Sequence, residues 1–404
     1  MRALRSDLNG GTDEPASRGS IGRLSALLPA GFMVYGVLLT VFGAALPRII
    51  TEFRWTYSEA GLVLSGAFVG FLLSTFASGL LVEGTRTKPL YVAALGVAAA
   101  AISLFARWPS PLPNLVLSFL IGCAEGVIDV VTNYETIRLD TGGRSTRMNL
   151  LHASFSAGAI AGPLAMGGFL ATGAAWQLAF PAIGAILLVA ACCAMAVGFP
   201  FPEKGLHHGA RGGLRLLREP AMILLCLAML FYVGSEVGVT NWVSEYFVRT
   251  LGTPLPMAAS AVSALWVGIL AGRLILSVAW RGRRQETALL LLSVLSLGSL
   301  LAFLAVRRYG PAFAVVFAVG VGYSGIYPLI IALAGRIFRS SASVGIVGTA
   351  SGIGSFAFPF LMAGMAERLG LRAGFLMLAL LPLGVIAATA VLLHRRSRRP
   401  AFFL

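Results

Sequence analysis

Long apolar runs, each broken by a few charged or turn-forming residues, follow one another along the whole chain. About 20 consecutive apolar residues cross a bilayer as a helix. The breaks define twelve such spans, at 25–47, 59–82, 89–106, 112–137, 147–171, 176–199, 220–247, 256–280, 286–306, 311–335, 343–366 and 371–394. None shows the alternation of a membrane β-barrel strand. The pattern predicts an all-α integral membrane protein with twelve transmembrane helices.

The runs also repeat. Gly158, Pro163, Met166 and Gly168 of span 5 recur as Gly354, Pro359, Met362 and Gly364 of span 11. Phe68-Val-Gly70 of span 2 matches Trp266-Val-Gly268 of span 8. In spans 4 and 10, Gly122, Glu125, Asp129 and Arg138 fall opposite Gly320, Tyr323, Tyr327 and Arg336. Such internal symmetry is the mark of transporter folds. It predicts two pseudo-symmetric six-helix bundles, 25–199 and 220–394, joined by a linker at 200–219 and flanked by tails at 1–24 and 395–404.

Composition agrees with this picture, and charge adds an orientation. Of 404 residues, 57% are hydrophobic and only 12% charged, about half the charged share of a soluble protein. A soluble enzyme, a secreted mini-domain and a disordered chain are excluded. The net charge of +15 taken alone suggests a nucleic-acid partner. Its distribution argues otherwise. With both termini on one side, that side holds 22 of the 31 Lys and Arg, the other holds 8, and Arg273 lies within a span. The positive-inside rule then places both termini and the linker in the cytoplasm. The membrane is expected to be a bacterial-type inner membrane, and no nucleic acid is expected to bind.

Other chemistries find little footing. The four cysteines lie inside spans and read as small apolar residues. Neither they nor the four histidines have metal-site spacing, so no metal or cofactor is expected. Residues 6–22 are polar and lack a cleaved-signal pattern. No nucleophile–base set suggests an enzyme. No loop is long enough for a receptor domain.

A charge at the bilayer centre costs roughly 2.5–3.5 kcal/mol, so charges inside spans mark pathways or partners. Spans 3, 6, 9 and 12 have none in their middles, and read as a scaffold around the others. Span 4 carries Glu125, Asp129, Thr132, Asn133 and Thr136 on one helical face. Glu125 and Asp129 stand one turn apart near the midplane, a pair suited to carrying a proton. A structural hydrogen-bonding role is the alternative for each. Span 7 carries Glu236, Asn241, Trp242 and Glu245. Tyr35, Tyr232, Trp242, Trp266, Tyr323 and Tyr327 share these faces, where rings with polar edges suit a sugar face, or else simply pack. Arg273 reads either as a counter-charge to an acid or as a residue snorkelling to the cytoplasm. Glu52, Glu59 and Glu245 lie near the outer ends and are expected to be solvated.

Four stretches carry a family resemblance. Gly79-Leu-Leu-Val-Glu83-Gly-Thr-Arg86-Thr-Lys88 resembles the signature loop of the major facilitator superfamily. In that family the loop acid locks the cytoplasmic side against helix 11 and a helix-4 arginine, which implies gating roles for Glu83, Arg86 and Arg138. Within it, the runs Asp129–Asn133, Asn149–Pro163 and Phe231–Trp242 resemble the fucose/galactose/glucose–proton symporters and their fucose-permease-like relatives. Those symporters carry an acid on helix 1 and a proline after the helix-4 Asn; span 1 here has no acid, and Tyr134 follows Asn133.

The resemblance implies a monomeric secondary transporter for a sugar or related polyhydroxylated solute, working by alternating access with H⁺ as the coupling ion and Na⁺ the alternative. Asp129 and Glu125 would carry the proton. Glu236, Asn133, Asn241, Trp242, Tyr35, Tyr232, Trp266, Tyr323 and Tyr327 would contact substrate. Asn149, His152 and Arg273 would shape the inner gate. Gly158-x-x-x-Gly162-Pro163 also resembles an antiporter motif, so export or flipping of an amphipathic compound or membrane lipid stays open.

Overall fold

The computed structural model describes residues 18–82, 86–139, 146–172, 175–199, 216–280, 284–338 and 341–398. Glu83 and the linker histidines lie outside these, as does the side chain of Asn149. The first half contains α1 (Arg18–Phe53), α2 (Tyr57–Leu81), α3 (Thr87–Leu104), α4 (Pro111–Leu139), α5 (Thr146–Ala171) and α6 (Ala179–Ala196). The second contains α7 (Pro220–Leu251), α8 (Leu255–Ala279), α9 (Gln285–Ala305), α10 (Tyr309–Tyr323), α11 (Ile326–Phe338), α12 (Ser341–Leu369) and α13 (Leu371–Arg398). Together they make twelve helical segments long and apolar enough to cross a membrane. A bilayer core leaves backbone groups no water to bond, which is why helix is the form these apolar runs take.

One end of the bundle holds the outermost described residues and the ends of α6 and α7 that flank the linker. It is called the terminus side here, and the opposite end the far side. At the far side the turns are tight. Thr56 caps α2 through a reciprocal box with Glu59, and α7 stops at Gly252, whose φ of 66° an L side chain rarely adopts.

Packing within each half follows the repeat. α2 meets α4 where a Cβ on Gly122 would collide with the Ala67 carbonyl, and one on Gly70 with the Phe119 carbonyl. α8 meets α10 where the same would happen between Gly320 and Leu265, and between Gly268 and Phe317. Small residues let membrane helices approach this closely. Helices α3 and α6 flank the first half and α9 and α13 the second. The halves meet through α1, α2 and α5 on one side and α7, α8 and α12 on the other.

The tenth span departs from the expected single helix over 311–335. It breaks at Ser324-Gly325 into α10 and α11. Pro328 supplies the reason. It has no N–H to offer the carbonyl four residues back, and its ring crowds that carbonyl. The carbonyl in question is that of Ser324.

Candidate functional site

Three elements converge between the halves. α4 presents Asp129 and Asn133, both half-buried, with the Asn133 amide donating to the Asp129 side chain at 3.0 Å and to its backbone carbonyl at 2.9 Å. α7 presents Glu236, also half-buried. α11 starts one residue before Tyr327, which lies within electrostatic range of Asp129 in the first half and Glu236 in the second, and beside Ser351. Tyr327 is 39% exposed despite its place between the halves. None of these four side chains is fully buried.

Arg273 closes the set. Its Nε donates to the freed Ser324 carbonyl at 3.3 Å, and its Nη1 to Ser156 Oγ of α5 at 3.2 Å. It is also within electrostatic range of Glu236 and His152. The guanidinium thus turns inward across the two halves instead of snorkelling. One residue bonds the carbonyl freed at the break, joins the halves and lies within electrostatic range of the α7 carboxyl.

The other aromatic candidates sit behind this surface. Tyr232 and Tyr323 meet edge-on at 5.8 Å; the Tyr232 hydroxyl donates to the Tyr323 carbonyl at 3.2 Å, and Tyr323 Oη bonds Ser235 at 2.6 Å. Both are buried and back Glu236 from inside the second half. Tyr35 packs on Phe155 at 5.1 Å, and Phe155 on Trp266 at 5.4 Å, forming an aromatic floor between the halves. Trp242 and Asn241 are buried closer to the far side.

At the far side the halves are latched. The Glu367 carboxylate of α12 accepts the Tyr57 N–H at 2.6 Å, capping the start of α2 from the opposite half. The Tyr57 hydroxyl donates to Glu245 at 3.2 Å, and Arg249 reaches both Glu245, at 3.1 Å, and Thr51 of α1, at 3.0 Å. Tyr57 also meets Trp242 edge-on at 5.6 Å. This corrects the expectation for Glu245, which is fully buried rather than solvated. Glu52 is exposed, as expected, and accepts from Trp176 at 2.7 Å and from Gln177 at 2.8 Å. No sequence motif pointed to this latch. Its only signal was a cluster of polar residues at the ends of apolar runs.

At the terminus side the two halves again match. Arg138 bonds Glu135 at 3.3 Å, and Glu135 accepts from Thr87 at the start of α3. Arg336 pairs with Glu286 at the start of α9. The acid that the described residues place against Arg138 is Glu135. His152 is exposed there and meets Phe32 edge-on at 5.6 Å. The described His, Cys, Asp and Glu form no group able to hold a metal.

Twelve spans in two repeated halves, with a polar site where they meet, define a membrane carrier. A profile of the Major Facilitator Superfamily matches residues 28–281, and the chain belongs to that family of transporters. It is 24% identical over 378 residues to Membrane protein MosC of Rhizobium meliloti, covering 91% of this chain and 89% of MosC. It is 22% identical over 315 residues to the Protein TsgA homolog of Serratia proteamaculans, covering 77% and 79%. Among solved structures, the nucleoside transporter NupG superposes with a TM-score of 0.77 at 13% identity, covering 92% of this chain and 99% of that one. A D-xylose-proton symporter gives 0.69 at 14%, covering 91% and 96%.

Proposed function

We propose that this protein carries a sugar or related polyhydroxylated solute across a bacterial-type inner membrane, coupled to protons, by alternating access and as a monomer. The observation that supports the reading is that Tyr327 lies within electrostatic range of both Asp129 and Glu236, from opposite halves, and that these side chains and Asn133 are all partly exposed. Carboxylates and an amide accept and donate hydrogen bonds to ring hydroxyls, and a phenol adds an apolar face with a polar edge. Asp129 is the proton carrier, because it is a partly exposed carboxyl on the first half, with its partner Asn133 one turn away. The NupG and D-xylose-proton symporter folds support the substrate class. The distribution of basic residues supports a cytoplasmic terminus side, and in this reading the latched far side faces out.

A second reading, export or flipping of an amphipathic compound or lipid, has one observation in its favour. An apolar groove of about 560 Å³ runs between α7, α12 and α13, lined by Phe231, Met377, Leu380 and Gly384 among others. It lies apart from the polar site.

A thermal-shift panel of pentoses, hexoses, nucleosides and lipids, run across pH and Na⁺, decides between the two, since a bound ligand stabilises the folded state. The sugar reading expects a shift with a hydroxyl-rich solute that Glu236→Gln or Asn133→Ala weakens by about 10-fold in affinity, the worth of one good charged hydrogen bond. A shift with lipids alone, unaffected by either change, would select the second reading.

A further inference from the structure

α4 carries a second carboxyl, more deeply buried than Asp129. Glu125, one turn from Asp129 toward the far side, is 4% exposed, and its Oε1 has no hydrogen-bond partner. Asn241 of α7, in the other half, is 2% exposed, and its amide Nδ2 is likewise unpartnered. Both line one cavity between the halves, about 10 Å³ measured to the centre of a water molecule. That is room for one water. Leu39 and Phe42 of α1 and Leu64 and Phe68 of α2 supply apolar walls. Ser118 also lines it, with its hydroxyl proton already given to the Val63 carbonyl at 2.6 Å. Asn241 reaches this place because Gly43 has no side chain. A Cβ there would come within 2.9 Å of the Asn241 Cα.

We propose that Glu125 and Asn241 together bind a single water molecule that bridges the two halves while the far side is closed. The chemistry matches at both ends. The water donates to Glu125 Oε1 and accepts from the Asn241 amide, and Ser118 Oγ is a further acceptor. An orphaned buried polar group costs about 1–3 kcal/mol, and one water satisfies two of them.

The consequence rests on the proton-coupled reading. Opening the far side separates α4 from α7, so it breaks the bridge and wets Glu125. Asp129 is partly exposed while the far side is latched. Two carboxyls one turn apart on one helix thus have access from opposite sides, with Glu125 as the outer proton station and Asp129 as the inner one. The titratable groups within electrostatic range of Tyr35, which packs alongside, are these two carboxyls and Tyr327. No basic side chain lines the cavity.

The test uses the full-length protein in proteoliposomes. Infrared difference spectra on acidification give the carboxyl C=O band of Glu125, identified by its loss in Glu125→Gln or its displacement in Glu125→Asp should the first variant fold poorly. Asn241→Leu removes one ligand of the water and should move that band. A band at its wild-type position in Asn241→Leu overturns the water site. In parallel, Glu125→Gln should abolish solute accumulation driven by a pH gradient. Accumulation at the wild-type level would overturn the outer-station role. If the wild-type protein itself shows no pH-driven accumulation, the proton-coupled reading falls, and the infrared arm still decides the water site.

Discussion

α4 runs unbroken from Pro111 to Leu139, whereas its counterpart in the second half stops at Tyr323 and restarts at Ile326. The two occupy the same place in the repeat, and both pack through a glycine against a neighbouring carbonyl. What differs is a handful of side chains. Where α4 has Glu125 and Asp129, the other has Tyr323 and Tyr327. Where α4 has Gly126 and Val130, the other has Ser324 and Pro328, and where α2 has Thr75, α8 has Arg273. Val130 keeps the N–H that Pro328 lacks, so the first helix stays whole. The freed Ser324 carbonyl takes its bond from Arg273 instead. Of these two helices, one carries carboxyls, and the other is broken and tied across the interface by a cation. Irregular backbone at membrane depth is tolerated where it is buried in protein or lines a cavity, and here it starts the helix that bears Tyr327.

The largest effect is expected at Arg273. Arg273→Leu orphans the Ser324 carbonyl and removes the bond to Ser156. It should cost about 3 kcal/mol of stability, read as a lower Tm in detergent, and suppress transport. Thr75→Leu, its counterpart in the unbroken half, should cost clearly less. Next come the glycines. Gly122→Val and Gly320→Val each force a side chain against a carbonyl, and each should cost about 2 kcal/mol by the same measurement. Unequal losses would show that the two close approaches are not equivalent. A smaller effect sharpens the comparison further. Pro328→Ala restores an N–H to the Ser324 carbonyl and should recover about 1 kcal/mol of what Arg273→Leu loses; with no recovery in the double variant, the break has a cause other than proline. The smallest change is at the far-side latch. Glu367→Gln removes the charge that caps α2 and should favour the far-open state by about 0.3–1 kcal/mol, seen as a longer distance between spin labels on α2 and α12.

Much of this fold is readable from hydrophobic patterning, because a bilayer demands long apolar runs and the repeat shows twice. The polar stripe on α4 was readable for the same reason, since few charges survive inside spans. The break in span 10 was not, although Gly325 and Pro328 stood in plain view. Proline is common in membrane helices and kinks many without breaking them; Pro163, Pro359 and Pro382 lie inside continuous helices here. The latch escaped for another reason. Glu245 near a span end looks solvated until the opposite half is placed against it. Which aromatics face open space and which lie behind it also depends on tertiary packing, as Tyr327 and Tyr323 show one turn apart.

The most direct test of the division between the halves is solute accumulation in proteoliposomes under an imposed pH gradient, comparing wild type with Asp129→Asn. Asp129 is the partly exposed carboxyl of α4, so its neutralisation should abolish accumulation. Accumulation at the wild-type level in Asp129→Asn would contradict the assignment of proton coupling to α4.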